Sequence, residues 1–316
     1  MASDLHLLID RLQSGDTRAL ARSISTVENR APGWSDLLKA IFPQTGKGRV
    51  LGLTGAPGAG KSTLVDQLAK YYRKQNKTVG IIAVDPTSPY TGGAILGDRI
   101  RMQDHFSDPG IYIRSMATRG SLGGLARATA DVATVLDASG RDLIMIETVG
   151  VGQDEVDIVR LADITIVILV PGMGDDVQSI KAGIMEIADI FVINKSDREG
   201  AERVEREIRA LQSLATRSDG WTPPIVKTVA SEAVGIEELA AEVAKYESYL
   251  QTKNLVLQHH IENWQERLVE MLRDALLEKA RDQLANGNGE RYAAQVAEHK
   301  TDPYTLVEEI VKRSQK

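Results

Sequence analysis

Apolar positions follow three rhythms along this chain. Leu5, Leu8, Ile9 and Leu12 fall at i, i+3, i+4 and i+7, one stripe of an amphipathic helix. Gly15-Asp16 ends that pattern, Ala31-Pro32-Gly33 breaks a second helix, and a third piece runs from Ser35 to Phe42. Pro43 to Gly48 has the turn residues of a linker. The rhythm changes at Val50. Short apolar runs now alternate with helical stretches: Val50–Thr54, Val79–Val84, Ile111–Arg114, Leu143–Glu147, Ile164–Val170, Ile190–Ile193 and Ile225–Val229. Nearly continuous apolar strands interleaved with helices predict a mostly parallel sheet covered on both faces, a doubly wound α/β fold. From about Ile236 the pattern is helical again. Leu255 to Leu284 contains neither proline nor glycine, Asn286 to Gly289 interrupts it, and a last helix spans Pro303–Lys312. The expected division is a helical extension over 1–46, an α/β domain over 47–250 and a helical arm over 251–316.

Composition narrows the chemistry. The chain has 316 residues, 42% hydrophobic and 26% charged, in the range of an ordinary globular protein with a sizeable core. Aromatics are 4%, so that core is aliphatic. There is no cysteine, which excludes disulfides, thiolate metal sites, iron–sulfur clusters and a cysteine nucleophile. The net charge of −6 argues against a nucleic-acid partner, which needs a clustered basic footprint. No run approaches the ~18 apolar residues of a membrane span, and the first residues lack the cationic and apolar regions of a secretory signal. A cytoplasmic protein is the expectation.

The candidate chemistry begins at the first apolar run. Gly55, Ala56, Pro57, Gly58, Ala59, Gly60, Lys61, Ser62 and Thr63 fit the pattern G-x-x-x-x-G-K-[ST]. They follow a predicted strand and open a predicted helix over Ser62–Arg73, the context a phosphate-binding P-loop requires. Glycines let successive N–H groups turn inward around phosphate oxygens, and the helix N-terminus adds its positive dipole end. Lys61 supplies charge to the β- and γ-phosphates, and Ser62 offers a hydroxyl to Mg²⁺.

Such a loop needs a carboxylate at another strand end for the magnesium shell. Glu147 closes Leu143–Glu147, and Thr148-Val149-Gly150 follows. Gly150 is placed to give its N–H to the γ-phosphate and to move when that phosphate leaves. Asp85 ends another strand, although a turn cap before Pro86 is the plainer reading of it. Asp98 adds a further carboxylate, with Arg99 and Arg101 beside it, in what also reads as a solvated helix start. Val151 stands where Ras-like proteins place a water-orienting glutamine, and Gln153 lies two residues on. Arg99, Arg101 and Arg119 are the candidates for a charge-stabilising arginine. Slow hydrolysis, helped by a partner, follows.

The base is read from Asn194, Lys195 and Asp197, an Asn-Lys-x-Asp sequence at a strand end. An aspartate accepts both the N1–H and the 2-amino N–H of guanine. Adenine lacks that amine, and a buried polar pair left unmade discriminates strongly. Asn194 would bond the far edge of the purine and the Lys195 stem would cover its face. Ser231, Glu232 and Ala233 follow the last strand, where a backbone N–H can reach the guanine O6.

Together the stretches GAPGAGKST, DPTSPYTGGAILGDRIRM, RSMATRGSLGGLA, ETVGVGQDE, PGMGDDVQSIKAG and NKSD resemble the MeaB/ArgK-type GTPases. The resemblance covers the central domain in order, about Arg49 to Ser231. It implies a P-loop GTPase of the dimeric SIMIBI class that hydrolyses Mg²⁺-GTP. It also implies a chaperone of adenosylcobalamin-dependent methylmalonyl-CoA mutase and related acyl-CoA mutases, which gates cofactor loading and rescues inactivated enzyme. By the same likeness Asp85 and Asp98 lie in a first switch, and Glu147 in a second. Pro171–Ile184 forms a third, with Asp175, Gln178 and Lys181 as its moving residues; residue by residue that stretch also reads as a polar loop and helix start. The C-terminal helices resemble a dimerisation arm.

Three other readings compete. A metal-insertion GTPase usually carries Cys/His clusters, whereas this chain has no cysteine and five histidines, only His259 and His260 adjacent. A small-molecule kinase of the ArgK description would need an acceptor pocket and a base, and Asn-Lys-x-Asp favours GTP over ATP. A membrane-targeting GTPase of the signal-recognition type needs a basic or methionine-rich face, against which net charge −6 and seven scattered methionines speak.

Overall fold

The computed structural model of the chain describes residues 2–85, 108–117, 124–148, 161–172, 187–213, 217, 219–285 and 288–314. It contains two compact units, Met1–Val256 and Leu257–Lys316.

The first unit is built on a sheet of β1 (Arg49–Gly55), β2 (Val79–Asp85), β3 (Ile111–Ala117), β4 (Leu143–Glu147), β5 (Ile164–Leu169), β6 (Ile190–Asn194) and β7 (Ile225–Thr228). Their order is β3-β2-β4-β1-β5-β6-β7 and every pairing is parallel. From β1 the chain crosses leftward to β2 and β3, returns to β4 beside β1, and then builds rightward through β5, β6 and β7. The strand order therefore reverses around β1, and the crevice beyond the carboxyl ends at such a point is where this architecture binds ligands.

Both faces of the sheet are covered, which is why its strands are apolar at nearly every position. On one face Leu51, Leu53, Met145, Ile166 and Val192 pack under α4 (Lys61–Lys74) and the later helix Ile236–Thr252. On the other, Ile82, Val84, Ile144 and Ile146 lie under α5 (Gly124–Ala138), on which α2 (Thr17–Glu28) and α3 (Trp34–Ile41) pack, with α1 (Ala2–Gln13) against α2 and α3. Further along that face Val167, Leu169, Phe191 and Ile193 pack against α6 (Ala201–Gln212). The helix Ile236–Thr252 is α7.

The predicted runs all become strands. β3 is longer than the predicted run Ile111–Arg114 because Ser115 interrupts the pattern without interrupting the pairing, which continues to Asp85↔Ala117. The charge of Arg114 is accommodated by an ion pair with Glu28, which also fastens α2 to the sheet. The N-terminal helices start and stop where the turn residues predict. Asp16 caps α2 by accepting from the Arg18 and Ala19 N–H groups at 2.8 and 3.1 Å. Strand beginnings are held the same way: Asp163 accepts from Val50 N at 2.8 Å, and Asp189 from Thr165 N at 2.8 Å.

The second unit contains α8 (Val256–Leu284, its first residue in the preceding unit), α9 (Asn288–Ala297) and α10 (Pro303–Ser314). Among its described residues Tyr292 and Leu306 are the buried hydrophobics, and the Tyr292 hydroxyl accepts from Arg313 at 3.1 Å. Along α8, by contrast, Leu257, Leu268, Val269, Leu272 and Leu276 are exposed. Among the described residues no helix is long and apolar enough to cross a membrane.

Candidate functional site

The carboxyl ends of β1, β4, β6 and β7 carry the candidate residues. The glycine-rich loop can lie there only because of two glycines. Gly55 has φ +151°, and a Cβ on it would run into the Ile168 carbonyl of β5. Gly60 has φ +90°, and a Cβ on it would run into the Asn194 side-chain amide. Left-handed backbone and close approach together exclude any other residue without rearrangement.

Lys61 opens α4 and is 6% exposed. Its Nζ donates to the carbonyls of Gly55 at 2.7 Å and Ala56 at 3.2 Å. The ammonium is thus held by the same loop whose N–H groups face the phosphate position of a P-loop. Ser62, the next residue, donates its hydroxyl to Glu147 Oε1 at 2.6 Å, in the short range of hydroxyl–carboxylate bonds. Glu147 is 4% exposed at the last position of β4, opposite Leu53 of β1. Two hydroxyls beneath it join the same strands: Thr148 donates to Thr54 at 3.1 Å, and the Thr148 N–H reaches the Leu53 carbonyl at 3.1 Å.

The Asn-Lys-x-Asp turn is bonded to this loop. Asn194 is 2% exposed. Its Nδ2 donates to the Ala59 carbonyl at 2.8 Å, and its Oδ1 accepts from the Thr228 hydroxyl at 3.0 Å and the Ala230 N–H at 3.1 Å. One amide therefore ties together the phosphate loop and the ends of β6 and β7. Lys195 has φ +56°, and its Nζ donates to the Gly58 carbonyl at 2.7 Å. Asp197 is exposed on the same turn, as are Ser231, Glu232 and Ala233 beyond β7. Within that second loop it is the N–H of Ala230 that bonds Asn194.

The sequence reading places Asn194 and Lys195 around the purine; the structure assigns both, in addition, to holding the phosphate loop. Thr54, Thr148 and Thr228 escaped that reading altogether. The available signal was a threonine at the end of an otherwise apolar strand. Asp98, Gly150, Val151, Gln153 and Lys181 lie outside the described residues, as do Arg99, Arg101, Arg119, Asp175 and Gln178. Of Asp85 the backbone is described, closing β2.

Among the described residues, the pair bonded beside the loop is one hydroxyl, Ser62, and one carboxylate, Glu147, both hard oxygens. Among the described residues there is no cluster of three acidic, histidine or cysteine side chains that would form an all-protein metal cage. That set suits Mg²⁺, which takes one or two protein oxygens and completes its octahedron with water and substrate phosphates.

A strand–loop–helix glycine-rich turn, its buried lysine, a serine–carboxylate pair and an Asn-Lys-x-Asp turn bonded to that loop define a P-loop nucleotide-binding protein. The family model described as "Methylmalonyl Co-A mutase-associated GTPase MeaB" matches residues 20–285, and the chain belongs to that family. It is accordingly a GTPase. A relative in Pyrococcus abyssi with a provisional GTPase designation is 49% identical over 308 residues, covering 96% of this chain and 95% of that protein. GTPase ArgK of Escherichia coli is 37% identical over 296 residues, covering 91% and 88%. The mitochondrial methylmalonic aciduria type A homolog of Mus musculus is 36% identical over 253 residues, covering 73% and 61%. Among solved structures, that of the LAO/AO transport system kinase aligns over 99% of this chain and 98% of its own, with TM-score 0.73 and 28% identity.

Proposed function

We propose that this GTPase is a switch on an adenosylcobalamin-dependent acyl-CoA mutase of the methylmalonyl-CoA mutase type, gating cofactor loading and protecting or reactivating the enzyme. The observation that carries the reading is the family match, which spans the whole site, together with that family's own description as mutase-associated.

The chemistry begins with GTP seated on the loop N–H groups and the positive end of α4, with Lys61 neutralising the β- and γ-phosphates. Ser62 and Glu147 would hold Mg²⁺: the Ser62 hydroxyl keeps its hydrogen and donates it to the Glu147 carboxylate, which leaves the hydroxyl lone pairs for the cation. When bound, Mg²⁺ neutralises charge on the phosphate oxygens and orients them. Asp197 accepts the two guanine N–H groups, and the tie from Asn194 to Ala59 makes base recognition and phosphate binding one rigid surface. Hydrolysis then proceeds by positioning and charge stabilisation, with no covalent intermediate. Asp85, Asp98, Gly150, Gln153 and Lys181 supply the switch and water-orienting functions. Their ordering by the γ-phosphate is what the mutase senses, and cleavage releases them.

The working form is a homodimer formed through the C-terminal helices. Exposed Leu268, Val269, Leu272 and Leu276 on α8 support this, because so contiguous an apolar stripe marks an interaction surface. The test is turnover of GTP and of ATP, with and without a cobalamin-dependent acyl-CoA mutase from the same organism. Stimulation by the mutase with GTP alone supports the switch. ATP-dependent phosphorylation of arginine would replace it with the kinase reading.

A further inference from the structure

A second binding surface lies at the other pole of the sheet, where β1, β2 and β4 begin. A cavity of about 430 Å³ opens between the last turn of α4 and the middle of α7. Its size falls within the roughly 300–1,000 Å³ of small-molecule sites. Its apolar lining comes from Ala240 and Ala244 of α7, one turn apart, with Ala241, Val243 and Leu143 of β4. Tyr71 and Tyr72 form the α4 wall, their rings edge to face at 5.6 Å.

The rim is cationic on balance. Lys47, Arg49 and Lys77 line it along with Asp142 and Glu247. Each acid already has its cation: Arg49 pairs with Glu247 at 2.8 Å, and Lys77 with Asp142 at 3.6 Å. Lys47 has no ion-pair partner among the described residues, so one positive charge remains over. The Tyr72 side chain is partly buried, and its hydroxyl makes no hydrogen bond to a described residue. Burial, and next the charge of Glu247, push its ionisation well above the ordinary phenol range. It therefore stays protonated, as a donor.

We propose that this cavity binds a small organic anion, a carboxylate or phosphate ester with a compact flat or branched apolar body. The body rests on the alanine lining against the tyrosine rings. The anionic group meets Lys47 and accepts from the Tyr72 hydroxyl. The proposal does not depend on the mutase reading. The site shares one element with the phosphate loop: α4 has 14 residues, with Lys61 and Ser62 in its first turn and Tyr71 and Tyr72 near its end.

The experiment titrates the full chain, its phosphate loop saturated with GDP, with phenyl phosphate by ligand-observed NMR and calorimetry. Benzylamine, benzyl alcohol and inorganic phosphate serve as comparison probes. The expected result is saturable binding of phenyl phosphate, weaker binding of the neutral and bare-phosphate probes, and none of the cation. Tyr72→Phe should weaken phenyl phosphate about fivefold, the loss of one hydrogen bond. Lys47→Glu should weaken it further. Ala244→Trp, which fills the cavity from an exposed helix position, should abolish binding while the thermal melt still shows a folded protein. Equal binding of benzylamine, inorganic phosphate binding as tightly as phenyl phosphate, or unchanged affinity in folded Lys47→Glu and Ala244→Trp would each overturn the proposal.

Discussion

Replacing Asn194 with alanine tests whether phosphate and base recognition form one surface. The side chain is 2% exposed and makes three hydrogen bonds, to Ala59 O, Thr228 Oγ1 and Ala230 N. Each is worth about 1 kcal/mol net, and a buried group left unmade costs about 1–3 kcal/mol. The Thr228 hydroxyl can rotate to another acceptor, but the Ala59 carbonyl and the Ala230 N–H are fixed backbone groups. The sum is about 3 kcal/mol of stability, which for a domain of this size lowers Tm by about 6–12 °C. Release of Ala59 also loosens the neighbouring Gly60, whose left-handed turn opens α4. GTP affinity should therefore fall by at least about tenfold, the equivalent of about 1.4 kcal/mol. Calorimetric melting of the nucleotide-free protein reads the first effect, and titration with a fluorescent GTP analogue the second. A Tm within about 2 °C of wild type, with GTP affinity unchanged, would refute the reasoning; so large a set of buried bonds cannot be lost silently.

Other expectations separate the parts of the account. Asp197→Asn removes an exposed carboxylate, so the melt should be unchanged, but GTP affinity should fall and xanthosine triphosphate, which carries a carbonyl where guanine has its amine, should gain; competition binding reads both. Ser62→Ala breaks the bond to Glu147, and Mg²⁺-dependent hydrolysis should fall by at least about a hundredfold, roughly 2.7 kcal/mol of transition-state stabilisation, in a single-turnover assay. Burial alone would raise the Asp219 carboxyl, but hydrogen bonds from Arg217 and the Trp221 N–H outweigh it and hold the group below its ordinary value of 3.8. A depressed folded value means stability that is complete above that ordinary value and lost as pH falls through the folded one. The gap in urea midpoint between wild type and Asp219→Asn should therefore close as pH drops below about 4, and a gap constant from pH 5 to 2.5 would contradict the assignment. The double substitution Leu268→Glu with Leu272→Glu on exposed positions of α8 should convert a dimer to a monomer by light scattering, with the melt of the first unit unchanged.

What the sequence revealed and concealed follows from the range of each interaction. Strand existence was legible because both sheet faces are covered, so each strand is a local apolar run; even the order of strand and helix along the chain could be read. The extent of β3 was not, because beyond Arg114 the polar Ser115 ends the apolar run while the pairing with β2 continues to Ala117. The apolar stripe of α1 announced a buried face but not its partners, which are α2 and α3. The phosphate loop was legible as a motif, since glycine positions and the Lys61-Ser62 pair are local. The bond from Ser62 to Glu147 spans 85 residues and could be anticipated only from the chemistry of magnesium. The second role of Asn194 could not, because its partners sit in the phosphate loop and at the end of β7, segments that only the fold brings together.

The most direct test of the central claim is GTP turnover by the purified protein, alone and with its organism's cobalamin-dependent acyl-CoA mutase. The account predicts slow hydrolysis alone, a large stimulation by the mutase, dependence on Lys61, and no comparable effect with ATP. GTP turnover untouched by any such mutase would contradict the switch while leaving the GTPase in place.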